Sequence, residues 1–531
     1  MEGMKRKAVM SISKLHTEPR LRLSVADGKK VLEVKPLIKP FAYAVLRQLP
    51  TGEKVYHVLE PPLNGKEKKI IKKIETLLIE SIDMDFEVFV DRAELKSFVE
   101  KKVRELLKLL GIRVSEKEFQ KIFYYVYRDF AGLEKIEPLM HDPDIEDISC
   151  DGYGKDRPVF VYHKLYQNIP TNIYFESEEE LNRFLVKLAQ KCGKHISVAE
   201  PILDGRLPDG SRVQATYGRE VTRHGGTFTI RKFTARPLTP IDLIKYGTFD
   251  TKSMAFLWYA MENKVSVLVC GSTAAGKTTT LNCLLMFAHP DAKIVTIEET
   301  PEIRIPHKNW ISSVTRSGYG AYMGDKRIGE IDMFDLLKAA LRQRPDFLVI
   351  GEIRGREAYT LFQAMASGHM GMSTLHADSV EDVIHRLEGE PINIPRIMLK
   401  LLNLIIFQSN LRLPNGKIGR RVKVIQEIVD VDPITKELLV NKVFYRDPIA
   451  DRLVFTGRSY YLEKIEEEKG IPLEKSLEEI ENRRLILEWL VKNDIRDYES
   501  VTKVIRKYYV DKNSILAKIK GKIYEEPSSS S

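Results

Sequence analysis

Val265-Ser-Val-Leu-Val-Cys270 runs into Gly271-Ser272-Thr273-Ala274-Ala275-Gly276-Lys277-Thr278, and then into Thr279-Thr-Leu-Asn-Cys-Leu-Leu-Met-Phe287. The first segment reads as a compact buried strand, the second as a glycine-bounded loop and the third as a helix. The loop fits GxxxxGK[ST] and stands where that pattern has physical meaning, after a strand and before a helix. Loop N–H groups and a helix N-terminus there converge on phosphate oxygens. Gly271 through Thr279 is the predicted phosphate cradle. Lys277 reaches the β- and γ-phosphates, and the Thr278 hydroxyl ligates Mg2+. The stretch predicts a nucleoside triphosphate site.

Two further strands end in acids. Lys293-Ile-Val-Thr-Ile297 leads to Glu298-Glu299-Thr-Pro-Glu302, and Phe347-Leu-Val-Ile350 leads to Gly351-Glu352-Ile-Arg354. In an open parallel sheet the ligand crevice lies beyond the carboxyl ends of the strands, so these acids point towards the loop. A carboxylate there orients and deprotonates an attacking water, or holds Mg2+ through water. Glu298, Glu299 and Glu352 are the alternatives. A common phosphate-loop pattern has Asp just before the catalytic Glu; Gly351 stands there instead, which passes that role to water or to Glu298 and Glu299. Next comes Ala366-Ser-Gly-His369-Met-Gly-Met-Ser-Thr374-Leu-His376-Ala-Asp378. No further ligands are spaced for zinc, so hydrogen bonding beside the nucleotide is the expected role of these histidines.

The 531 residues hold 84 Lys+Arg against 75 Asp+Glu, and 43% are hydrophobic. That excludes a wholly disordered chain and implies several domains. The most apolar run, Ile397 to Phe407, is interrupted by Lys400 and Asn403, so no bilayer span is expected. The basic N-terminus lacks a continuous apolar core, against a signal peptide. Cys150, Cys192, Cys270 and Cys283 form no CxxC pair and read as buried thiols in a reducing cytoplasm.

Charge and periodicity divide the rest. Residues 1–66 carry 13 Lys/Arg and 6 Asp/Glu, which is +7 of the net +9. This basic module contains short strands at 30–34, 41–46 and 54–59. It reads either as a solvated surface or as a contact for nucleic acid, anionic lipid or an acidic partner. Residues 67–131 read as helices, with Ile70, Ile71, Ile74 and Leu77/Leu78 on one face and Phe98, Val99, Val103 and Leu106/Leu107 on another. Residues 132–235 mix strands and helices, and 236–240 is a linker with a proline at each end. Strands and helices alternate from 241 to 430 in parallel-sheet order. A C-terminal extension, 431–531, has a strand pair followed by charged helices, and Glu525–Ser531 is expected to fray.

The phosphate loop, the acidic stretch Thr296–Glu302, Gly351-Glu352-Ile-Arg354 and the His stretch Gly368–His376 follow in the order seen in type II/type IV secretion and pilus-assembly ATPases. The chain resembles that family across about 132–430, and resembles most its archaeal branch, which includes archaellum motors. Glu137-Pro-Leu-Met-His-Asp-Pro-Asp-Ile-Glu-Asp-Ile148, Leu207-Pro-Asp-Gly-Ser-Arg212-Val and Leu336-Leu-Lys-Ala-Ala-Leu-Arg342-Gln-Arg-Pro345 support the resemblance. It implies an α/β fold, with a RecA-like P-loop ATPase domain preceded by a PAS-like α/β domain. It implies ATP and Mg2+ as cofactors and a homo-hexameric ring, cytoplasmic and peripheral at the inner face of the membrane. Such a ring acts on an integral membrane platform protein to move an archaellum, pilus or secretion filament.

Within the resemblance, Glu352 matches the catalytic glutamate, placed to meet Mg2+ through water, and His376 matches a histidine near the γ-phosphate. Arg212 and Arg231 match basic positions that approach nucleotide phosphates. Glu299 stands where Asp is usual, and the four-cysteine zinc element of bacterial members is absent. On charge alone, Arg206, Arg212, Arg219, Arg223, Arg231 and Arg236 also read as a solvated face. Two other functions share a RecA-like core: a nucleic-acid translocase or helicase, and a nucleotide-gated scaffold without turnover. No aromatic-and-basic strand-binding stretch occurs in 241–430, so nucleic acid is not an expected partner. The intact Lys277, Thr278 and Glu352 speak against the scaffold.

Overall fold

The structure, a computed structural model, describes residues 30–81, 92–233, 237–316, 318, 322–323, 326–413 and 418–524. Residues 1–29 of the basic stretch, Arg236 of the expected linker and the expected frayed end 525–531 lie outside them. The fold is mixed α/β. It divides into two compact units, Met1–Thr234 and Ala235–Ser531.

The first unit opens with an antiparallel meander of β1 Lys30–Ile38, β2 Ala42–Gln48 and β3 Lys54–Leu59. Helices α1 Gly65–Ser81, α2 Arg92–Leu109 and α3 Glu116–Phe130 follow. Helix α3 starts at a reciprocal cap in which Ser115 and Glu118 satisfy each other's backbone N–H groups. The apolar stripes expected from the helical period do meet, burying Ile70, Ile74, Leu78, Val99, Val103 and Ile122 together.

Then comes a six-stranded antiparallel sheet: β4 Ile145–Cys150, β5 Phe160–His163, β6 Gln167–Pro170, β7 Ile202–Arg206, β8 Arg212–Thr216 and β9 Thr227–Arg231, in the order β6-β5-β4-β9-β8-β7. Phe184 on helix α4, Glu178–Lys191, packs on Phe175 and Phe228. Residue 66, expected to end a separate module, is no break. Ala44, Leu46, Tyr56 and Val58 lie in the same core as the six-stranded sheet. Buried Asp142 accepts from Tyr56 Oη at 2.5 Å and pairs with Lys35 Nζ at 2.7 Å. A buried carboxylate stripped of its partners is costly, so β1 and β3 complete the charge balance of the later sheet.

The second unit holds a nine-stranded sheet of β10 Val267–Gly271, β11 Ile294–Glu298, β12 Trp310–Val314, β13 Phe347–Ile350, β14 Met370–Leu375, β15 Leu404–Arg412, β16 Ile418–Val431, β17 Leu438–Asp447 and β18 Arg452–Phe455. The order is β12-β11-β13-β14-β10-β15-β16-β17-β18. Pairing is parallel from β12 to β15 and antiparallel from β15 to β18. Alternate residues of β10 enter two different cores, Val267 and Val269 on one face and Leu268 and Cys270 on the other. Continuous apolar strands of this kind are those of a sheet covered on both sides. Helices α5 Thr251–Glu262 and α6 Lys277–Leu285 cover the first face; α7 Met333–Leu341, α8 Glu357–Ala366 and α9 Val380–Glu388 cover the second.

The expected start of an extension at 431 falls inside this sheet, because β17 and β18 continue it. Helices α10 Tyr460–Lys469, α11 Leu473–Lys492, α12 Tyr498–Val510 and α13 Lys512–Tyr524 then share the core of α5 and α6. Arg483 on α11 is 1% exposed, paired with Glu262 and Glu479 and ringed by Trp258, Tyr259 and Tyr508. The tail is built into the second unit. No helix among the described residues is long and apolar enough to cross a membrane.

Candidate active site

Parallel pairing brings the carboxyl ends of β10, β11, β13 and β14 to one edge of the sheet. Gly271, Glu298, Gly351-Glu352 and His376 therefore share that edge, although 105 positions of sequence separate Gly271 from His376. The loop between β10 and α6 turns at Gly271, where a Cβ would lie 2.2 Å from the Gln408 carbonyl oxygen of neighbouring β15. No other residue fits so close to a backbone. The loop's apex is tied to the antiparallel pair: Arg420 Nε donates to Ala274 O at 2.9 Å, and Asn410 Nδ2 to Thr273 O at 3.4 Å. One turn into α6, Thr280 Oγ1 accepts from Gln408 Nε2 at 2.7 Å.

Lys277 is buried at the start of α6 and donates to the carbonyls of Gly271 and Ser272, both at 3.0 Å. Burial lowers its pKa below 10.5, while Glu352 acts the other way. Beside it stands His376, with Nδ1 at 3.4 Å from Lys277 Nζ and Nε2 at 3.1 Å from Glu352 Oε1. An ammonium can only donate, so Nδ1 is the acceptor and the neutral ring carries its proton on Nε2, which stands near the carboxylate without a hydrogen bond to it. Burial, and then the Lys277 charge, hold this imidazole below 6.5. Glu352 Oε2 in turn accepts from Arg354 Nη2 at 2.7 Å. Contacts from Arg354 to Glu352, from Glu352 to His376 and from His376 to Lys277 cross the mouth of the loop, although Glu352 Oε1 itself accepts no hydrogen bond.

The three acids separate by environment. Glu298 is 2% exposed, and its Oε1 accepts from the backbone N–H groups of Glu302 at 2.9 Å and Ile303 at 3.0 Å. Glu299 is half-exposed and lies 4.0 Å from Arg354. Glu352 sits between a guanidinium and an imidazole. The structure also explains Gly351: a Cβ there would come within 3.1 Å of Glu298 Cγ. The Glu298 stem crowds the room that an aspartate would need.

The two histidines do not stay together. His376 follows β14, whereas His369 precedes it, with Nδ1 within 3.0 Å of Ser367 Oγ at the end of α8. A six-residue strand spans roughly 20 Å, so His369 belongs to the opposite edge of the sheet and closes a helix. Thr278 lies in the first turn of α6. Its hydroxyl and the acids at the same edge are oxygen donors, the set a small hard cation such as Mg2+ takes.

Arg212 and Arg231 are in the first unit. They are directly opposed across β8 and β9, and Arg206 opposes Arg212 across β7. Asp147 on β4 stands opposite Arg231 and pairs with it at 3.2 Å, and Asp204 pairs with Arg212 at 2.9 Å. Like charges facing across strands are destabilising, yet here three arginines form one row. Sequence reasoning singled out two of them. It passed over Arg354, which stood in the quoted motif, and Arg420 and Asn410, which carry no local signal.

A family model described as type II/IV secretion system protein matches residues 149–431. The chain belongs to that family of secretion ATPases. An uncharacterised protein of Methanocaldococcus jannaschii is 42% identical over 402 residues, covering 75% of this chain and 71% of that one. A second from the same organism is 47% identical over 265 residues, covering 50% and 96%. Among solved structures, the VirB11 ATPase of the Brucella suis type IV secretion system covers 55% of this chain and 91% of its own at 24% identity, with a TM-score of 0.28. That superposition carries no weight here, and membership of the secretion family rests on the sequence matches.

Proposed function

We propose that the second unit is a RecA-like motor that hydrolyses Mg·ATP, preceded by a PAS-like domain in the first unit, and that it works in a homo-hexameric ring. The array of Arg354, Glu352, His376 and Lys277 carries this reading. Loop N–H groups and Lys277 bind the phosphates. Glu352, held by Arg354 and flanked by His376, orients the attacking water and takes its proton, and Glu298 is the second carboxylate of the site. Neutral His376 stands with Nε2 at 3.1 Å from Glu352 Oε1 and limits where the carboxylate can turn. Thr278 holds Mg2+ directly and Glu352 or Glu298 holds it through water; when bound, the ion offsets phosphate charge. The arginine row of Arg212 and Arg231 meets phosphate from another surface, which is why turnover needs the ring. Family membership supports a motor at the inner face of the membrane. It acts on a membrane platform protein and moves an archaellum, pilus or secretion filament.

Glu352→Gln keeps the shape and loses the charge. Its kcat is expected to fall by more than about tenfold, roughly 1.4 kcal/mol of barrier, with Mg·ATP affinity retained. Lys277→Ala is expected to lose both. Retention of kcat by Glu352→Gln would move the base to Glu298 or Glu299.

A further inference from the structure

The segment between β11 and β12 has no helix or strand from Glu299 to Asn309, yet it supplies the donors that hold Glu298. The N–H groups of Glu302 and Ile303 both reach the buried carboxylate oxygen. With no ladder of its own, the segment is fixed from two other sides. On one, Asn282 of helix α6 accepts from Arg304 N at 2.7 Å. On the other, Tyr498 Oη of helix α12 donates to Arg304 O at 2.8 Å, and Arg506 Nη2 donates to Pro306 O. The side chains of Ile303 and Ile305 are buried in the core that holds Val501 and Ile505 of the same helix. Tyr509, a turn further on, donates to Phe287 O just past the end of α6 at 2.7 Å. Helix α12, some 200 positions from the acid in sequence, touches both the acid's connector and the phosphate-loop helix.

We infer that Tyr498 and Arg506 are positioning residues for Glu298: they fix the carbonyls of the 302–306 segment so that its N–H groups stay on the carboxylate. Backbone N–H bonds favour the charged form of a carboxylate and fix its direction. Released from α12, the segment keeps its covalent path but loses the constraint that aims those two N–H groups. A force or partner acting on the C-terminal helices would then reach the chemistry through this contact. The inference rests on the reading of Glu298 as an acid of the hydrolytic site.

The test uses the full chain with Tyr498→Phe and Arg506→Met combined, and Arg506→Lys as the conservative control. The first removes two donors with little change of volume; the second keeps a donor for Pro306. Three quantities are measured: backbone hydrogen exchange at Glu302 and Ile303, kcat and KM for ATP, and the melting temperature. In the double variant, exchange at these two amides is expected to accelerate and kcat to fall by about tenfold, with KM within about twofold and the protein folded. Arg506→Lys is expected to stay near wild type. Unchanged exchange at Glu302 and Ile303 overturns the inference. So does a loss of kcat that follows the unfolded fraction, or an Arg506→Lys as impaired as the double variant. A wild type that hydrolyses no ATP sinks the reading of the site instead, and the exchange measurement still decides the positioning.

Discussion

The edge of the parallel sheet and the face of the antiparallel one both gather charge, but in opposite ways. At the parallel edge each charged group is answered inside its own unit: Lys277 by carbonyls, Glu298 by N–H groups, Glu352 by Arg354 and His376. On the antiparallel face, arginines from β7, β8 and β9 stand opposite one another, and the exposed Arg212 and Arg231 pair with Asp204 and Asp147. The first arrangement answers its charges from within, although Glu352 Oε1 is left without a hydrogen bond. The second sets three arginines in a row answered in part by Asp147 and Asp204, and it is the surface on which the proposed phosphate contact rests.

The contrast breaks most sharply if the arginines are removed. Arg212→Ala with Arg231→Ala is expected to lower kcat by at least about a hundredfold, while stability changes by no more than about 0.5 kcal/mol because the side chains are exposed. Steady-state turnover and thermal unfolding of one preparation check both halves. Equal losses of activity and stability would make the row structural. Dilution sharpens the point: specific activity is expected to fall where light scattering shows monomer, and constant activity there would end the ring requirement.

A smaller effect concerns the basic stretch. Deleting residues 1–66 would remove Lys35 and Tyr56 from buried Asp142, so the clean truncation is 1–29. That truncation is expected to spare turnover and to weaken binding to anionic vesicles, at about 1 kcal/mol per suitably placed cation, with salt reducing the difference. Equal binding by both proteins would place the attachment surface elsewhere. The smallest effect is a pH dependence. Because burial and Lys277 hold His376 below 6.5, the neutral ring's contribution is complete above that pH and fades as pH falls through its lowered value. His376→Gln is expected to flatten the acid side of the unfolding profile below pH 6.5; an unaltered slope would remove His376 from it.

What could be read in the sequence was what is local. The loop, the acid-ended strands and the helical stripes are patterns within about twenty residues, and each element forms where its period places it. The histidines show where such reading stops. Seven positions apart, they look like neighbours, but the strand between them carries them to opposite edges. Arg420 on the loop's apex and Tyr498 behind the acidic segment come from elements roughly 150 and 200 positions away, and nothing in their own surroundings marks them. At 66 and 430 composition changes, while a shared core crosses the first position and strand pairing crosses the second.

Gly351 turns a contact into a rule of spelling. A Cβ there would stand 3.1 Å from Glu298 Cγ, tighter than ordinary contact, so the two positions constrain each other. A graft of Gly351→Asp, which would make the strand end look more like other phosphate-loop proteins, presses on the Glu298 side chain, which must shift by a few tenths of an ångström or be shortened in the same step. Glu298→Ser with Gly351→Asp is then the pair that relieves this contact as the site is rewritten. In related chains the same two letters are expected to change hands as a pair.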